Sequence, residues 1–133
     1  SEEALRLIKY TEKAMFKGIQ AARSGNRLGQ ISHAIQKWSE KHGYSVVREF
    51  VGHGIGRKMH EDPPVPNYGR IDQGPVLKEG MTIAIEPMLN IGASGVNTKA
   101  DDWTVVTRDG SLSAHFEHTI AITDRGPEIL TLR

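Results

Sequence analysis

Two histidines stand in a glycine-rich stretch near the middle of the chain. His53 lies between Gly52 and Gly54, and His60 follows seven residues later. The flanking glycines are expected to clear space around the His53 ring and to allow backbone angles that other residues resist. A loop at this point would bring His60 back to the same cavity, so the pair is a candidate for metal or substrate binding. Read alone, the stretch is better explained as a glycine-rich turn with two incidental histidines.

Two acids interrupt apolar stretches that otherwise indicate β-strands. Glu86 lies within residues 83–89, where a carboxylate is costly to bury unless it is paired or bound to a cation. Glu117 lies within residues 114–122, which form the longest strand-like run. Pro87 removes a backbone donor, which predicts an edge or the end of a strand beside Glu86. An edge strand that simply exposes Glu86 to water is an equally good interpretation of that segment.

One imidazole and two carboxylates on separate segments form a ligand set that suits divalent zinc, manganese, iron or cobalt. The chain has no cysteine, so a metal must be held here by nitrogen and oxygen. His53, Glu86 and Glu117 are therefore the candidate metal ligands, and ligand type alone leaves the metal open. His118 is left out because strand alternation turns it away from Glu117.

The periodicity of apolar residues indicates the elements that position these groups. Helices are predicted over residues 1–22 and 28–41, and the period then falls towards two. The stretch from 53 to 80 is rich in glycine and proline and too long for a simple connector, which predicts a functional loop. Strands are predicted at 44–51, 82–89, 103–107, 112–123 and 128–132.

Composition and charge are those of an ordinary folded protein. Apolar residues make up 38% and charged residues 25%, and the net charge of +1 supports neither a nucleic-acid partner nor a membrane surface. No apolar run approaches the roughly 20 residues that span a bilayer, and the acidic first residues are unlike a signal peptide. We therefore expect one domain over residues 1–133, of the α+β class, in the cytoplasm.

Five short motifs together resemble the type I methionine aminopeptidases, in that family's order and spacing and over essentially the whole chain. Proline-specific relatives share the Gly-His-Gly and Glu-Pro elements, whereas Pro-Asn-Tyr-Gly and Glu-Pro-Met favour the methionine enzymes. The stretch between the two acids is too short for the insertion of the type II enzymes. The motifs are Gly-His-Gly-Ile-Gly-Arg at 52–57, Met-His-Glu at 59–61, Pro-Asn-Tyr-Gly at 66–69, Ile-Glu-Pro-Met at 85–88 and Phe-Glu-His-Thr at 116–119.

The resemblance implies a role for each residue that matches a family motif. His53, Glu86 and Glu117 match three metal ligands. Glu117 is similar to the carboxylate that bridges two ions, and Glu86 is similar to the ligand also proposed as general base. His60 matches a histidine that hydrogen-bonds the substrate or its tetrahedral intermediate. The catalytic residues implied are therefore His60 and Glu86.

The resemblance also implies a pocket for the methionine side chain, lined by Met59 and Trp103. A thioether packs well against polarizable and aromatic surfaces, which agrees with that role. For Trp103 a buried core position is nearly as good an interpretation. The activity implied is hydrolysis of the first peptide bond, assisted by two close divalent ions, with an acid such as Glu86 moving the proton.

The fold implied is the C-terminal half of a pita-bread fold, with two helices packed on a curved, largely antiparallel sheet. In that family an N-terminal half supplies two aspartate ligands and a further substrate histidine. This chain alone is therefore expected to hold one ion or none, to lack full activity, and to pair with the missing half or self-associate. A non-catalytic half-domain that grips peptide ends and an Xaa-Pro-specific peptidase are the alternatives.

Overall fold

The computed structural model describes residues 1–132 of the chain, which form two helices followed by ten short strands. No helix in this range is both long enough and apolar enough to cross a membrane. The helices are α1 (Glu2–Gln20) and α2 (Leu28–Lys41). The strands are β1 (Ser45–Val46), β2 (Gly52–Gly54), β3 (Glu61–Val65), β4 (Thr82–Ile85), β5 (Met88–Asn90), β6 (Val96–Thr98), β7 (Val105–Thr107), β8 (Ser113–His115), β9 (His118–Thr123) and β10 (Gly126–Ile129).

Both predicted helices are present, and local sequence signals set their ends. The Ser1 hydroxyl caps α1 by accepting a hydrogen bond from the Ala4 backbone N–H at 3.1 Å. Acidic residues follow in the first turn, where the helix dipole favours negative charge. The second helix has the predicted bounds, and Gly43 follows it with a φ of 86°, a conformation that glycine adopts without strain.

Every strand pair is antiparallel, as predicted. The largest sheet has the order β10-β9-β4-β2-β3, a second has the order β1-β5-β8, and β6 pairs with β7. One apolar core joins the two larger sheets to both helices. Its fully buried side chains include Met15, Ile31, Leu77, Ile83, Ile85, Ile120 and Ile122.

Two of the predicted strands are divided and a third is shortened. The segment 82–89 divides into β4 and β5, and the segment 112–123 divides into β8 and β9. In each case the two pieces belong to different sheets. The segment 44–51 keeps only the two residues of β1. A strand that leaves one sheet to enter another must break its ladder, and Pro87, which has no N–H to donate, lies at one of these breaks.

The predicted loop over residues 53–80 is partly a strand. It contains β3, which pairs with β2 through Gly52↔Val65 and His53↔Pro64. The irregular part that follows lies over the N-terminus of α2 and satisfies its free N–H groups. Leu28 N–H donates to Pro75 O and Gly29 N–H donates to Gln73 O, both at 2.9 Å.

The turn after β7 depends on a single carboxylate. Asp109 accepts hydrogen bonds from the Ala93 N–H at 2.8 Å and the Ser111 N–H at 3.0 Å. Bonds from the Ser111 side chain, the Ser111 backbone and the Ala93 backbone lower the pKa of Asp109 to about 2, from an ordinary value of 3.8. The carboxylate therefore stabilises the fold fully above about pH 4, and this contribution is lost as the pH falls through 2.

We expect Asp109→Asn to lower the melting temperature at pH 7, because the amide replaces one of the two accepting oxygens. The difference from wild type should shrink as the pH falls towards 2. Thermal unfolding at several pH values measures this. Asp124→Asn, in the exposed turn between β9 and β10, is the control and should not show the pH-dependent difference. A constant Asp109→Asn deficit across the range would contradict the assignment.

Candidate metal centre

His53 lies on β2 between two glycines that are required by the neighbouring strands. A Cβ on Gly52 would collide with the carbonyl oxygen of Ala84, and a Cβ on Gly54 would collide with that of Asp62. Neither glycine has a positive φ. Unusual backbone angles, one of the two predicted reasons for the glycines, are therefore wrong, and space around the histidine ring stays a prediction. They let β3 and β4 approach the backbone on either side of His53.

The His53 ring is oriented by the backbone carbonyl of the next residue. Its Nδ1 lies 2.9 Å from Gly54 O. A carbonyl oxygen only accepts, so Nδ1 carries the hydrogen, and in the neutral ring Nε2 is left as an acceptor. That Nε2 lies 3.3 Å from the Glu86 Oε2 atom. Two acceptors at this distance repel each other unless a proton or a cation lies between them, and a ring held in this way is typical of metal-ligating histidines.

Glu86 and Glu117 come to His53 because each follows the end of a strand. Glu86 lies between β4 and β5, and Glu117 lies between β8 and β9. The two breaks are neighbours, since the Phe116 N–H donates to Pro87 O at 3.2 Å. One ligand atom from each of His53, Glu86 and Glu117 lies within 4.8 Å of the others. The structure thus brings together all three predicted ligands.

The electrostatics of this group favour a positive charge at its centre. Burial, and after it the nearby negative charge of Glu117, raise the pKa of Glu86 to about 7, while His53 opposes the shift. The Glu86 carboxylate is partly buried and the Glu117 carboxylate is exposed, and neither is offset by a lysine or arginine salt bridge among residues 1–132. Nitrogen and oxygen donors in this arrangement fit a divalent cation.

His60 lies beside this group. The ring centroids of His53 and His60 are 4.0 Å apart, with an angle of 38° between the ring planes. Both rings line an open cavity of about 600 Å³. The predicted return of His60 to the cavity of His53 is therefore observed. The cavity is lined by Val51, Gly52, His53, Lys58, His60, Glu61, Asp62 and Pro64.

Met59 and Trp103, like the candidate ligands Glu86 and Glu117, are predicted site residues that do not line this cavity among residues 1–132. Met59 is 72% exposed and Trp103 is 87% exposed. Neither is among the residues, within the described part of the chain, that line the cavity. The buried core position considered for Trp103 is wrong. A methionine pocket made by these two side chains stays a prediction.

Three residues near the centre were missed by sequence reasoning. Lys58 and Glu61 line the cavity, and the Glu61 carboxylate accepts a hydrogen bond from the Lys58 N–H at 3.1 Å. Asn67 is fully buried, and its amide donates to Glu86 O at 3.4 Å, next to the strand break. The Pro-Asn-Tyr-Gly motif, which contains Asn67, was the sequence feature that could have identified this residue.

His118, which was left out of the ligand set, is paired with the Thr131 hydroxyl at 2.7 Å instead.

The sequence and fold both have close counterparts among known proteins. The model of metallopeptidase family M24 matches residues 1–124. The chain belongs to metallopeptidase family M24. It is 61% identical over 132 residues to a methionine aminopeptidase of Clostridium acetobutylicum, covering 99% of this chain and 53% of that protein. It is 56% identical over 131 residues to methionine aminopeptidase 1 of Bacillus subtilis, covering 98% and 53%.

Solved structures of other proteins have the same fold. The crystal structure of methionine aminopeptidase from Rickettsia prowazekii matches with a TM-score of 0.97 and 53% identity, covering 99% of this chain and 54% of that one. The prolidase from Pyrococcus furiosus matches with a TM-score of 0.72 at 24% identity, which shows a shared fold alone. The predicted α+β pita-bread class and the resemblance to the type I methionine enzymes are confirmed. The chain spans about half the length of the curated relatives it matches.

Proposed function

We propose that this chain contributes the metal-binding half of an enzyme that removes the N-terminal methionine from peptides and nascent proteins by hydrolysis. The observation that carries this proposal is the convergence of His53, Glu86 and Glu117 within 4.8 Å, in a chain 61% identical to a methionine aminopeptidase. His60 beside the group adds a hydrogen-bonding side chain for the substrate.

The roles proposed for the residues combine the family resemblance with their positions in the structure. His53 Nε2 and the carboxylates of Glu86 and Glu117 would hold a divalent ion, with cobalt, manganese, iron and zinc all compatible with the donors. The bound ion would supply Lewis-acid activation of water and of the scissile carbonyl. Glu86 would accept a proton from the water and return it to the leaving amine. His60 donates to the substrate carbonyl from the wall of the cavity.

The remaining parts of the site come from outside these residues. Glu117 is exposed, and so are Met59 and Trp103. Two divalent ions need more negative charge than two carboxylates provide, so the complete site takes further ligands from an N-terminal half, or from a second copy of the chain. On its own the chain holds one ion or none. We place the complete enzyme in the cytoplasm, where nascent chains are available.

A chimera tests this function. The matched half of the Clostridium acetobutylicum relative is replaced by this chain, and methionine release from Met-Ala-Ser is measured with added Co²⁺ or Mn²⁺. We expect activity within about tenfold of the parent, because 61% of the exchanged residues are identical. Glu117→Gln in the same chimera should lower kcat by at least about 100-fold, since it removes a ligand from the group.

The substrate series also separates the alternatives. A peptide with leucine first and a peptide with an Xaa-Pro start should be cleaved much more slowly than Met-Ala-Ser. Faster cleavage of the Xaa-Pro peptide would favour the proline-specific peptidase. A folded chimera that binds Met-Ala-Ser and releases no methionine would favour the non-catalytic half-domain.

A further inference from the structure

Asn67 is a buried polar side chain whose amide is only half satisfied. The residue is fully buried, and its amide nitrogen donates to Glu86 O at 3.4 Å. A carbonyl oxygen only accepts, so the nitrogen of the amide must be the atom that faces Glu86. The amide oxygen, Oδ1, is buried and takes part in no hydrogen bond among residues 1–132. An unpaired buried oxygen is costly, so an asparagine at this position needs a reason other than stability.

The carbonyl that Asn67 binds lies at the break between β4 and β5. Glu86 and Pro87 belong to neither strand, so the ladders of the two sheets do not fix them. Two single hydrogen bonds hold this break instead. The Asn67 amide donates to Glu86 O, and the Phe116 N–H donates to Pro87 O at 3.2 Å. Because Pro87 has no N–H to donate, the position of the Glu86 backbone depends on the Asn67 amide.

The segment that carries Asn67 is joined to the strand that carries His53. Asn67 follows the end of β3 by two residues. The last residue of β3, Val65, is fully buried and pairs with Gly52, the residue before His53. The Asn67 amide therefore links two parts of the chain that each hold a candidate ligand. One is the β2–β3 pair with His53, and the other is the break with Glu86.

We propose that Asn67 is a positioning residue that sets the distance between the two candidate metal ligands His53 and Glu86. This inference rests on the metal site of the proposed function. The hydrogen bond to Glu86 O keeps the Glu86 carboxylate beside the His53 ring, where its Oε2 lies 3.3 Å from Nε2. Because its amide nitrogen faces a backbone carbonyl, Asn67 acts on the ion only through Glu86. The loss of a residue that supports a metal ligand in this way typically lowers metal affinity 10–100-fold.

Isothermal titration calorimetry of Asn67→Ala with Mn²⁺ tests this role. We expect the dissociation constant to rise about tenfold or more, while the number of ions bound stays the same. Asn90→Ala is the matched control. Asn90 is also fully buried, its amide donates to Ala93 O at 2.9 Å, and its Oδ1 has no partner among residues 1–132. This control should lose a similar amount of thermal stability and keep the wild-type metal affinity.

A measurement without metal separates the role of Asn67 from the proposed function. In the metal-free chain, the NMR signals of the His53 ring should move in Asn67→Ala and keep their wild-type positions in Asn90→Ala. Asn67→Leu, which keeps the branch at Cγ and removes the donor, takes the place of Asn67→Ala if that variant does not fold.

Three results would overturn the proposal. They are wild-type metal affinity in a folded Asn67 variant, an equal loss of affinity in Asn90→Ala, and unmoved signals of the His53 ring in the metal-free Asn67 variant. If the wild-type chain binds no ion, the metal site of the proposed function fails in this chain, and the signals of the His53 ring alone decide the role of Asn67.

Discussion

Changing both candidate carboxylate ligands to glutamine should abolish the binding of Mn²⁺ or Co²⁺ by this chain. The wild-type chain is expected to bind one ion, because three donor atoms already lie within 4.8 Å of one another. In the Glu86→Gln, Glu117→Gln variant only His53 keeps its donor. Since changing a residue that merely supports a ligand costs 10–100-fold in affinity, losing two ligands should cost more than about 100-fold. Isothermal titration calorimetry measures both the affinity and the number of ions bound.

Thermal unfolding gives a second measure of the same binding. An ion that binds only the folded chain, at about 100 times its dissociation constant, stabilises it by about 2.7 kcal/mol. The wild-type chain should therefore melt higher with metal, and the double glutamine variant should not. Without metal the variant should be at least as stable as wild type, because it loses the repulsion between the two carboxylates.

A charge-matched control shows whether the loss is specific. Glu12→Gln with Glu79→Gln removes the same two negative charges from exposed positions and should leave metal binding unchanged. If wild type binds no better than the Glu86, Glu117 variant, the three side chains do not form a metal site in this chain, and the site needs ligands from outside it. Reduced binding by the control would point to a general charge effect.

The sequence predicted the chemistry of the site better than it predicted the strands that build it. His53, Glu86 and Glu117 could be singled out because acids and histidines inside apolar stretches carry a cost that needs a reason. Their convergence was implied by a family resemblance. Periodicity alone could not have supplied it, since alternation within one strand says nothing of which strands are neighbours.

The strand breaks at the two acids could not be read from hydrophobic pattern. An apolar run looks the same whether it stays in one sheet or passes from one sheet into the next. Pro87 gave the one local signal, and it did mark a strand end. The segment around Glu117 contains no proline or glycine, so nothing local indicated that β8 and β9 would separate at Phe116 and Glu117.

For the first helix, the sequence predicted the helix itself but not which of its apolar side chains are exposed. Leu5 and Ile8 have the spacing of an apolar helix face, yet they are 67% and 47% exposed. The face that packs against α2 and the sheets carries Met15 and Ile19, which share the spacing of Leu5 and Ile8, together with Leu7 and Ala14. Two apolar stripes on one helix cannot be ranked without knowing what lies against each of them.

Gly52 lies in close contact with the backbone of β4 beside His53, and we expect Gly52→Ala to destabilise the fold. The new Cβ would collide with the Ala84 carbonyl oxygen on β4. That carbonyl cannot move freely, because β4 lies between β2 and β9 in the five-stranded sheet. Overpacking against backbone should lower the free energy of unfolding by about 3 kcal/mol or more. Urea unfolding measures it, with the slope unchanged if the transition stays two-state.

Gly95→Ala is the matched control for the loss of stability expected in Gly52→Ala. Gly95 also has no positive φ, and the atoms nearest a new Cβ belong to the flexible end of Arg108, at 3.1 Å. The arginine can move aside, so this variant should stay within about 0.5 kcal/mol of wild type. In Gly52→Ala chains that remain folded, His53 is pushed away from Glu86, so metal affinity should fall as well. Wild-type stability and metal binding in Gly52→Ala would mean that β2 does not pass this close to β4, and the placement of His53 would be wrong.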